Sequence, residues 1–335
     1  MSTTADPVRA IADAVLYEGY VLWPYRRSAL KNAQRWTFGC VFPRAHSEAR
    51  AAGDDPWTMR TQCLVEGPPD ARLFVTVRFL HVVRRQAVEA HGRAVDRLGE
   101  HLSWEEAAER EIAPAPATLA RLSGEGEGEG AARAPIAIPA GEAREPLPGV
   151  GALVRTWEPL VGRVTVHAER RGPALHRVSV RIENTTPWPG GPRAAAQRRA
   201  LCSTHAILRV EGGAFVSQTD PPAALQAEAA ACVNEGTWPV LVGAPDARDT
   251  LLSSPIVLSD HPRVAPESPG DFFDGGEIDQ LLVLNILGLT DAEKAEMRAS
   301  DARTRALLER VEALTPEQLL ALHGRTVREA QARAR

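Results

Sequence analysis

The chain has 335 residues, a length that suffices for two domains or for one large domain with an ordinary hydrophobic core. Its 44% hydrophobic and 24% charged residues are typical of a globular protein, and the net charge of -4 gives no general attraction to nucleic acid or to an anionic membrane. No apolar run reaches the roughly 18 residues that a membrane-spanning helix needs, and residues 1–10 lack the apolar core of a signal peptide. We therefore expect a cytoplasmic protein with no membrane span and no nucleic-acid partner.

The four cysteines, Cys40, Cys63, Cys202 and Cys232, are far apart in the sequence and form no C-x-x-C pair. Such pairs commonly supply the ligands of structural zinc and of iron–sulfur clusters. We therefore expect reduced thiols and no cofactor held by the cysteines.

Residues 7–16 have helical spacing, with Asp6 as the predicted N-cap. The segment that follows, residues 17–36, contains every tyrosine of the protein together with two tryptophans and several basic residues. Such a mixture can anchor a protein partner, since Tyr, Trp and Arg dominate interface hot spots. It can also stack nucleic-acid bases, but no later basic stripe supports that interpretation. A third interpretation is that the aromatic rings pack on the core. The predicted partner-binding residues are Tyr20, Trp23, Tyr25, Arg26, Arg27 and Trp36.

Strands are predicted at residues 36–42, 59–66 and 72–83, and the last of these is apolar on both faces, as in a central strand. Residues 104–122 have helical spacing after Ser103, so a helix is predicted there, interrupted by prolines. The alternating glycines and glutamates of residues 123–130, and the Ala/Pro-rich run up to residue 151, predict a flexible linker or insert.

Two hairpins are predicted after this linker, one from residues 163–169 and 177–183 and another from residues 204–211 and 214–217. Helices are predicted from residue 278 to the end, with Thr290 and Glu293 forming a capping box for a long helix. The fold class is therefore α+β, with an antiparallel β-sheet or small sandwich core, flanking helices and a helical C-terminal region. Four regions are expected: an N-terminal α+β region (1–122), the linker or insert (123–151), an antiparallel β core with an acidic loop (152–289) and C-terminal helices (290–335).

The acidic loop after the apolar run at residues 251–258 is the densest group of candidate functional side chains. The catalytic candidates are His261, Asp260 and Glu267, and the metal-ligand candidates are His261, Asp271 and Asp274. One imidazole with several carboxylates suits a divalent metal, although the spacing matches no fixed motif. The alternative interpretation is structural, because aspartates form turns and cap helix N-termini. A third interpretation is a loop that docks a partner.

Two runs of sequence are distinctive, IADAVLYEGYVLWPYRRSALKN at residues 11–32 and SPIVLSDHPRVAPESPGDFFDGGEID at residues 254–279. They resemble the two ends of a bacterial family that is similar to proteins encoded beside actinobacterial-type uptake NiFe hydrogenases. The resemblance carries no catalytic assignment, so it transfers no active-site residue. It implies a role in the assembly, maturation or association of a redox metalloenzyme.

Two functional hypotheses follow. The first is a cytoplasmic accessory or interaction protein, whose partner is a hydrogenase or its maturation machinery and which needs no cofactor. The second is a metal-dependent hydrolase, with a His/carboxylate site at residues 260–277 that holds a divalent ion.

Overall fold

A computed structural model describes residues 7–22, 24–26, 28–29, 32, 35–36, 38–50, 55–125, 130–263, 273 and 279–321. Most of the described strands belong to two large antiparallel sheets, and most of the longer helices lie in the C-terminal region. The predicted α+β class with a mainly β core is therefore confirmed. None of the described helices is both long and apolar enough to cross a membrane.

The first sheet has five strands, in the order β14-β1-β12-β11-β8. Their bounds are β1 Thr58–Glu66, β8 Ala132–Ile138, β11 Leu160–Arg170, β12 Leu175–Asn184 and β14 Ala214–Phe215. The predicted hairpin at residues 163–183 is confirmed by β11 and β12, which pair antiparallel with Val166 opposite Val180. Apolar residues that alternate along both strands are buried, as a sheet with one covered face requires.

The second sheet runs in the order β15-β16-β13-β2-β10-β9, and β3, β6 and β7 also pair with β2. Its strands are β2 Arg72–Glu89, β3 Ala94–Val95, β6 Trp104–Ile112, β7 Ala117–Thr118, β9 Gly141–Leu147, β10 Gly151–Trp157, β13 Cys202–Glu211, β15 Trp238–Leu241 and β16 Thr250–Ser254. A separate small ribbon pairs β4 Arg97–Leu98 with β5 His101–Leu102.

The long strand β2 is the centre of this sheet. β13 and β10 pair with successive parts of one edge, and β7, β6 and β3 pair with the other edge. The main hydrophobic core lies between β2 and β13 of this sheet and β1, β11 and β12 of the first sheet. The two sheets thus form a sandwich, and both contain strands from before and after residues 123–151.

The helices are α1 Pro7–Tyr17, α2 Arg44–Glu48, α3 Leu119–Leu122, α4 Arg193–Gln197, α5 Gln226–Ala230, α6 Asp279–Leu287, α7 Asp291–Ser300, α8 Ala302–Glu312 and α9 Pro316–Ala321, with a 3-10 turn at Ala223–Leu225. A second core joins the aromatic N-terminal segment to β2, β6 and helices α6 to α8. The predicted capping box at Thr290 and Glu293 is confirmed. The predicted long helix is instead two helices, because Asp301 has an extended backbone and caps α8.

The helix predicted at residues 104–122 is wrong for residues 104–118, which contain strands β6 and β7, whereas residues 119–122 form the short helix α3. The glutamates of β6 resemble those of a helix N-terminus, but they pair across the ladder with arginines of β2. Arg78 lies 3.0 Å from Glu111, and Arg85 lies 2.7 Å from Glu106. Tertiary pairing here overrides the local helical preference.

The flexible segment predicted at residues 123–151 is wrong for residues 132–147, which form β8 and β9. Ala132, Ala134 and Ile136 are buried on one face of β8, which pairs with β11, while β9 pairs with β10. Residues 126–129 of the Gly/Glu repeat lie outside the described residues. The Ala/Pro-rich composition suggested a flexible segment, but the apolar residues within it alternate with the period of a strand.

The second predicted hairpin is also wrong, since β14 pairs with β1 and not with β13. The chain crosses between the sheets at Gly212 and Gly213. Gly212 has a φ of +78°, and a Cβ on Gly213 would lie 2.9 Å from the carbonyl oxygen of Glu66. This crossing therefore needs two glycines.

The strand predicted at residues 36–42 is wrong as well. Trp36 and Gly39 have φ values of +53° and +54°, and the described residues of this segment form a single β-bridge, between Val41 and Leu201. Positive φ is incompatible with an extended strand.

Candidate functional site

The two distinctive segments of the sequence meet in space. The backbone N–H of Gly19 donates to the carbonyl oxygen of Phe273 at 2.8 Å, and the Phe273 ring lies 5.7 Å from Tyr20 and 6.1 Å from Tyr17, centroid to centroid. Gly19 has a φ of +73°, which turns the chain out of α1. Residues far apart in the chain therefore pack together in the second core.

The aromatic residues predicted to bind a partner are mostly core residues. Tyr20, Tyr25 and Trp36 are fully buried, so they contact no external partner in this conformation. Arg26 is half-buried and forms a 2.9 Å ion pair with Glu293. The prediction is therefore wrong in placing these three rings on a contact surface, because their apolar area is used to pack the segment on the second core. Trp23 and Arg27 lie outside the described residues, and their roles stay predictions.

Asp260 is fully engaged in hydrogen bonds. Its Oδ2 accepts from Ser217 Oγ at 2.6 Å and from Thr219 Oγ1 at 2.7 Å, and its Oδ1 accepts from the Leu241 N–H at 2.8 Å. This carboxylate joins the loop after β14 to the end of β15, which matches the turn-forming interpretation.

His261 follows with a φ of +51°, and its N–H donates to the carbonyl oxygen of Leu241 at 2.7 Å. Glu267, Asp271 and Asp274 lie outside the described residues, so the structure does not test whether they approach His261. Among the described residues, no three His, Cys, Asp or Glu side chains are grouped as metal ligands would be. The predicted catalytic and metal sites stay predictions.

Two other histidines, His81 and His205, are buried within the sheets. Burial lowers the pKa of each to about 4, so both rings are neutral near pH 7. His205 Nδ1 lies 3.1 Å from the carbonyl oxygen of Ser203. Cys202, three residues before His205, is also buried, and a hydrogen bond with Cys40, together with burial, raises the pKa of its thiol. A protonated thiol is a poor nucleophile, and both side chains are fully buried.

An apolar groove lies where α1 approaches the segment after β16. We call it the α1 groove; its volume is about 470 Å³ and its lining is Ile11, Ala14, Val15, Glu18, Phe38, Ile256, Val257, Leu258, Pro262 and Arg263. Val257 is 69% exposed and Phe38 41% exposed, so apolar surface extends to the groove's rim. Of the lining residues, only Glu18 and Arg263 carry charge. The sequence predictions missed this groove, because its residues come from three separate segments.

The chain matches no family model, and no curated protein matches it.

Sequence reasoning also missed Arg35, which lies in the second core. Its guanidinium carbon lies 4.2 Å from the ring centroid of Trp36 and 4.1 Å from that of Trp104. The signal in the sequence was the adjacent Arg35-Trp36 pair, but Trp104 arrives from β6, which was predicted to be a helix. A cation between two indoles gains favourable cation–π contacts on both faces.

Proposed function

We propose that this chain is an accessory protein that binds another protein through the α1 groove. The observation that carries the proposal is the combination of an apolar groove with an exposed apolar rim, formed where the two distinctive segments meet. Contiguous exposed apolar surface of this kind usually marks an interaction site.

The lining favours a protein partner over a small ligand. Small-molecule sites are concave pockets that bury most of the ligand's surface and orient it with a few polar groups. Here the charged groups are Glu18 and Arg263, one of each sign, while Phe38 and Val257 present apolar atoms to solvent. We therefore expect the occupant to be a helix or loop that inserts apolar side chains and carries little net charge.

The resemblance of residues 11–32 and 254–279 suggests the partner. Because both runs contribute to the groove, we propose a NiFe hydrogenase or one of its maturation proteins as the partner class. The role would be assembly or association of that enzyme.

A binding experiment with purified components tests the proposal. Purified NiFe hydrogenase and its maturation proteins are titrated against the chain by biolayer interferometry. The Val257→Asp variant should weaken binding at least tenfold, because a carboxylate in an apolar interface is left without a partner. The matched control is Val150→Asp, which changes an exposed valine in the turn between β9 and β10.

Loss of binding in Val257→Asp but not in Val150→Asp supports the proposal. Failure of the unaltered chain to bind any of these proteins overturns it, and so does self-association at this groove, detected by sedimentation. A marked fall in the Tm of Val257→Asp would show that the groove is internal packing, and would also overturn it.

A further inference from the structure

A second cavity, which we call the arginine pocket, shares no lining residue with the α1 groove. Its volume is about 440 Å³, which is within the range of small-molecule sites. It is lined by Asn32, Arg35, Trp36, Arg84, Arg85, Gln86, Asp96, Ser103, Trp104, Glu105, Ala194 and Gln197. The lining thus contains three arginines and two carboxylates.

Both carboxylates of the lining have partners, and Asp96 is one of them. Glu105 Oε1 forms an ion pair with Arg198 Nε at 2.8 Å, and Arg85 Nη1 forms one with Glu106 Oε1 at 2.7 Å. The Arg84 side chain is exposed and has no hydrogen bond or ion pair with any described residue. The lining therefore offers one free guanidinium at the surface, that of Arg84, and a partly hydrogen-bonded one, that of Arg35, inside.

Arg35 is a buried cation that still has a donor to offer. It is 94% buried, since its exposed fraction is 6%. Nη2 donates to the carbonyl oxygen of Glu105, whereas Nη1 has no hydrogen-bond partner in the described part of the chain. An unsatisfied donor on a buried charge costs free energy, and an anion that accepts from it recovers that cost.

The pocket wall around Arg35 is built before any ligand arrives. Gln197 Nε2 donates to the carbonyl oxygens of Arg35 at 2.7 Å and of Trp36 at 3.0 Å. Trp36 itself is held at a φ of +53°, an uncommon conformation for a bulky residue. Such strain persists where the surrounding contacts enforce it, and it is common at ligand sites.

We infer that the arginine pocket binds a small metabolite through an anionic oxygen group, with Arg84 and Arg35 as the donors and Trp104 as part of the wall. The planar guanidinium fork matches the paired oxygens of a carboxylate or phosphate. The cavity is larger than a bare ion needs, so the anionic group belongs to a larger molecule. This inference does not depend on the proposed protein partner.

Isothermal titration of the full chain with two probes, inorganic phosphate and citrate, tests the inference at constant ionic strength set with chloride. We expect a saturable isotherm for at least one probe, and the stronger probe distinguishes a phosphate site from a carboxylate site. Arg84→Gln should weaken that binding at least tenfold. The affinity of Arg84→Lys should lie between those of Arg84→Gln and the unaltered chain, because lysine keeps the charge but loses the planar guanidinium fork.

The matched control is Arg144→Gln, which removes an exposed arginine from β9 of the same sheet and should bind as the unaltered chain does. Equal unfolding midpoints for the variants show that each is folded. The inference is overturned if neither probe gives a saturable isotherm. Equal binding by Arg84→Gln and the unaltered chain would reveal an adventitious ion only, and would overturn it as well.

Discussion

Tyr20 Oη donates a 2.9 Å hydrogen bond to Asp301 Oδ2, although these residues are 281 positions apart in the chain. The same oxygen accepts from Trp104 Nε1 at 3.0 Å, while Oδ1 accepts from the backbone N–H groups of Arg303 and Thr304. One carboxylate therefore fastens the N-terminal segment, strand β6 and the start of α8 together. Burial raises the pKa of Tyr20, so its phenol remains a donor at all ordinary pH values.

Replacement of Asp301 by alanine should lower the free energy of unfolding by about 3 kcal/mol, because it removes a helix cap and leaves two buried donors unpaired. Thr290→Ala is the matched control, since it removes the cap of α7 at an exposed position and should cost only about 1 kcal/mol. Urea unfolding measures both values. Equal losses for the two variants would contradict this role of Asp301.

Arg78 is completely buried and lies within 4 Å of three carboxylates, those of Asp13, Glu109 and Glu111. Arg78→Met should lower the free energy of unfolding by about 1–2 kcal/mol, because three half-exposed carboxylates lose their shared counter-charge. Arg209→Met is the control, since Arg209 is half-exposed and its pair with Glu211 should contribute less than about 1 kcal/mol. A smaller loss for Arg78→Met than for the control would refute the argument.

Stability should fall as the pH is lowered from about 6.5 toward 4. The pKa of His81 and of His205 is about 4 in the folded chain, below the value of about 6.5 for an unfolded histidine, so only the unfolded state takes up protons in this window. Each histidine should contribute a loss of up to about 3 kcal/mol, complete only below pH 4, and no loss above pH 6.5. Urea unfolding between pH 7 and pH 5 measures the slope. His205→Gln should reduce that slope, and an unchanged slope would argue against a neutral buried His205.

Gly39 has a φ of +54°, and a Cβ there would lie 2.6 Å from Cγ of Pro255. Gly39→Ala should therefore lower the free energy of unfolding by more than the roughly 1–2 kcal/mol that a left-handed backbone costs an alanine. Gly92→Ala isolates the backbone cost, because Gly92 has a φ of +91° and no atom within 4 Å of the added Cβ. Thermal unfolding compares the two variants, and equal Tm losses would show that Pro255 moves aside without cost.

The sequence predicted those elements whose residues carry their own periodicity. The hairpin of β11 and β12 alternates cleanly, and Thr290 with Glu293 forms a local capping box, so both were predicted from neighbouring residues alone. The fold class followed from these elements and from the apolar faces of β2. Local pattern is sufficient where an element's partner is adjacent in the chain.

The predictions failed where a distant partner decides the structure. The glutamate-rich segment of β6 is a strand because it pairs with β2, whose arginines lie opposite. β14 pairs with an edge of β1 and not with β13, its neighbour in the sequence. The arginine pocket could not be predicted either, since Trp104 reaches Arg35 only through β6. None of these three relationships leaves a signal in one stretch of sequence.

The position of β2 has a consequence for synthesis of the protein. Its neighbours on one edge, β13 and β10, lie far downstream, so an N-terminal stretch rich in valine and leucine leaves the ribosome well before those strands exist. Such a nascent strand exposes apolar surface and is prone to aggregate. It pairs late, because long loops must close before its partner strands reach it. Expression of this chain should therefore respond strongly to chaperone supply and to the rate of translation.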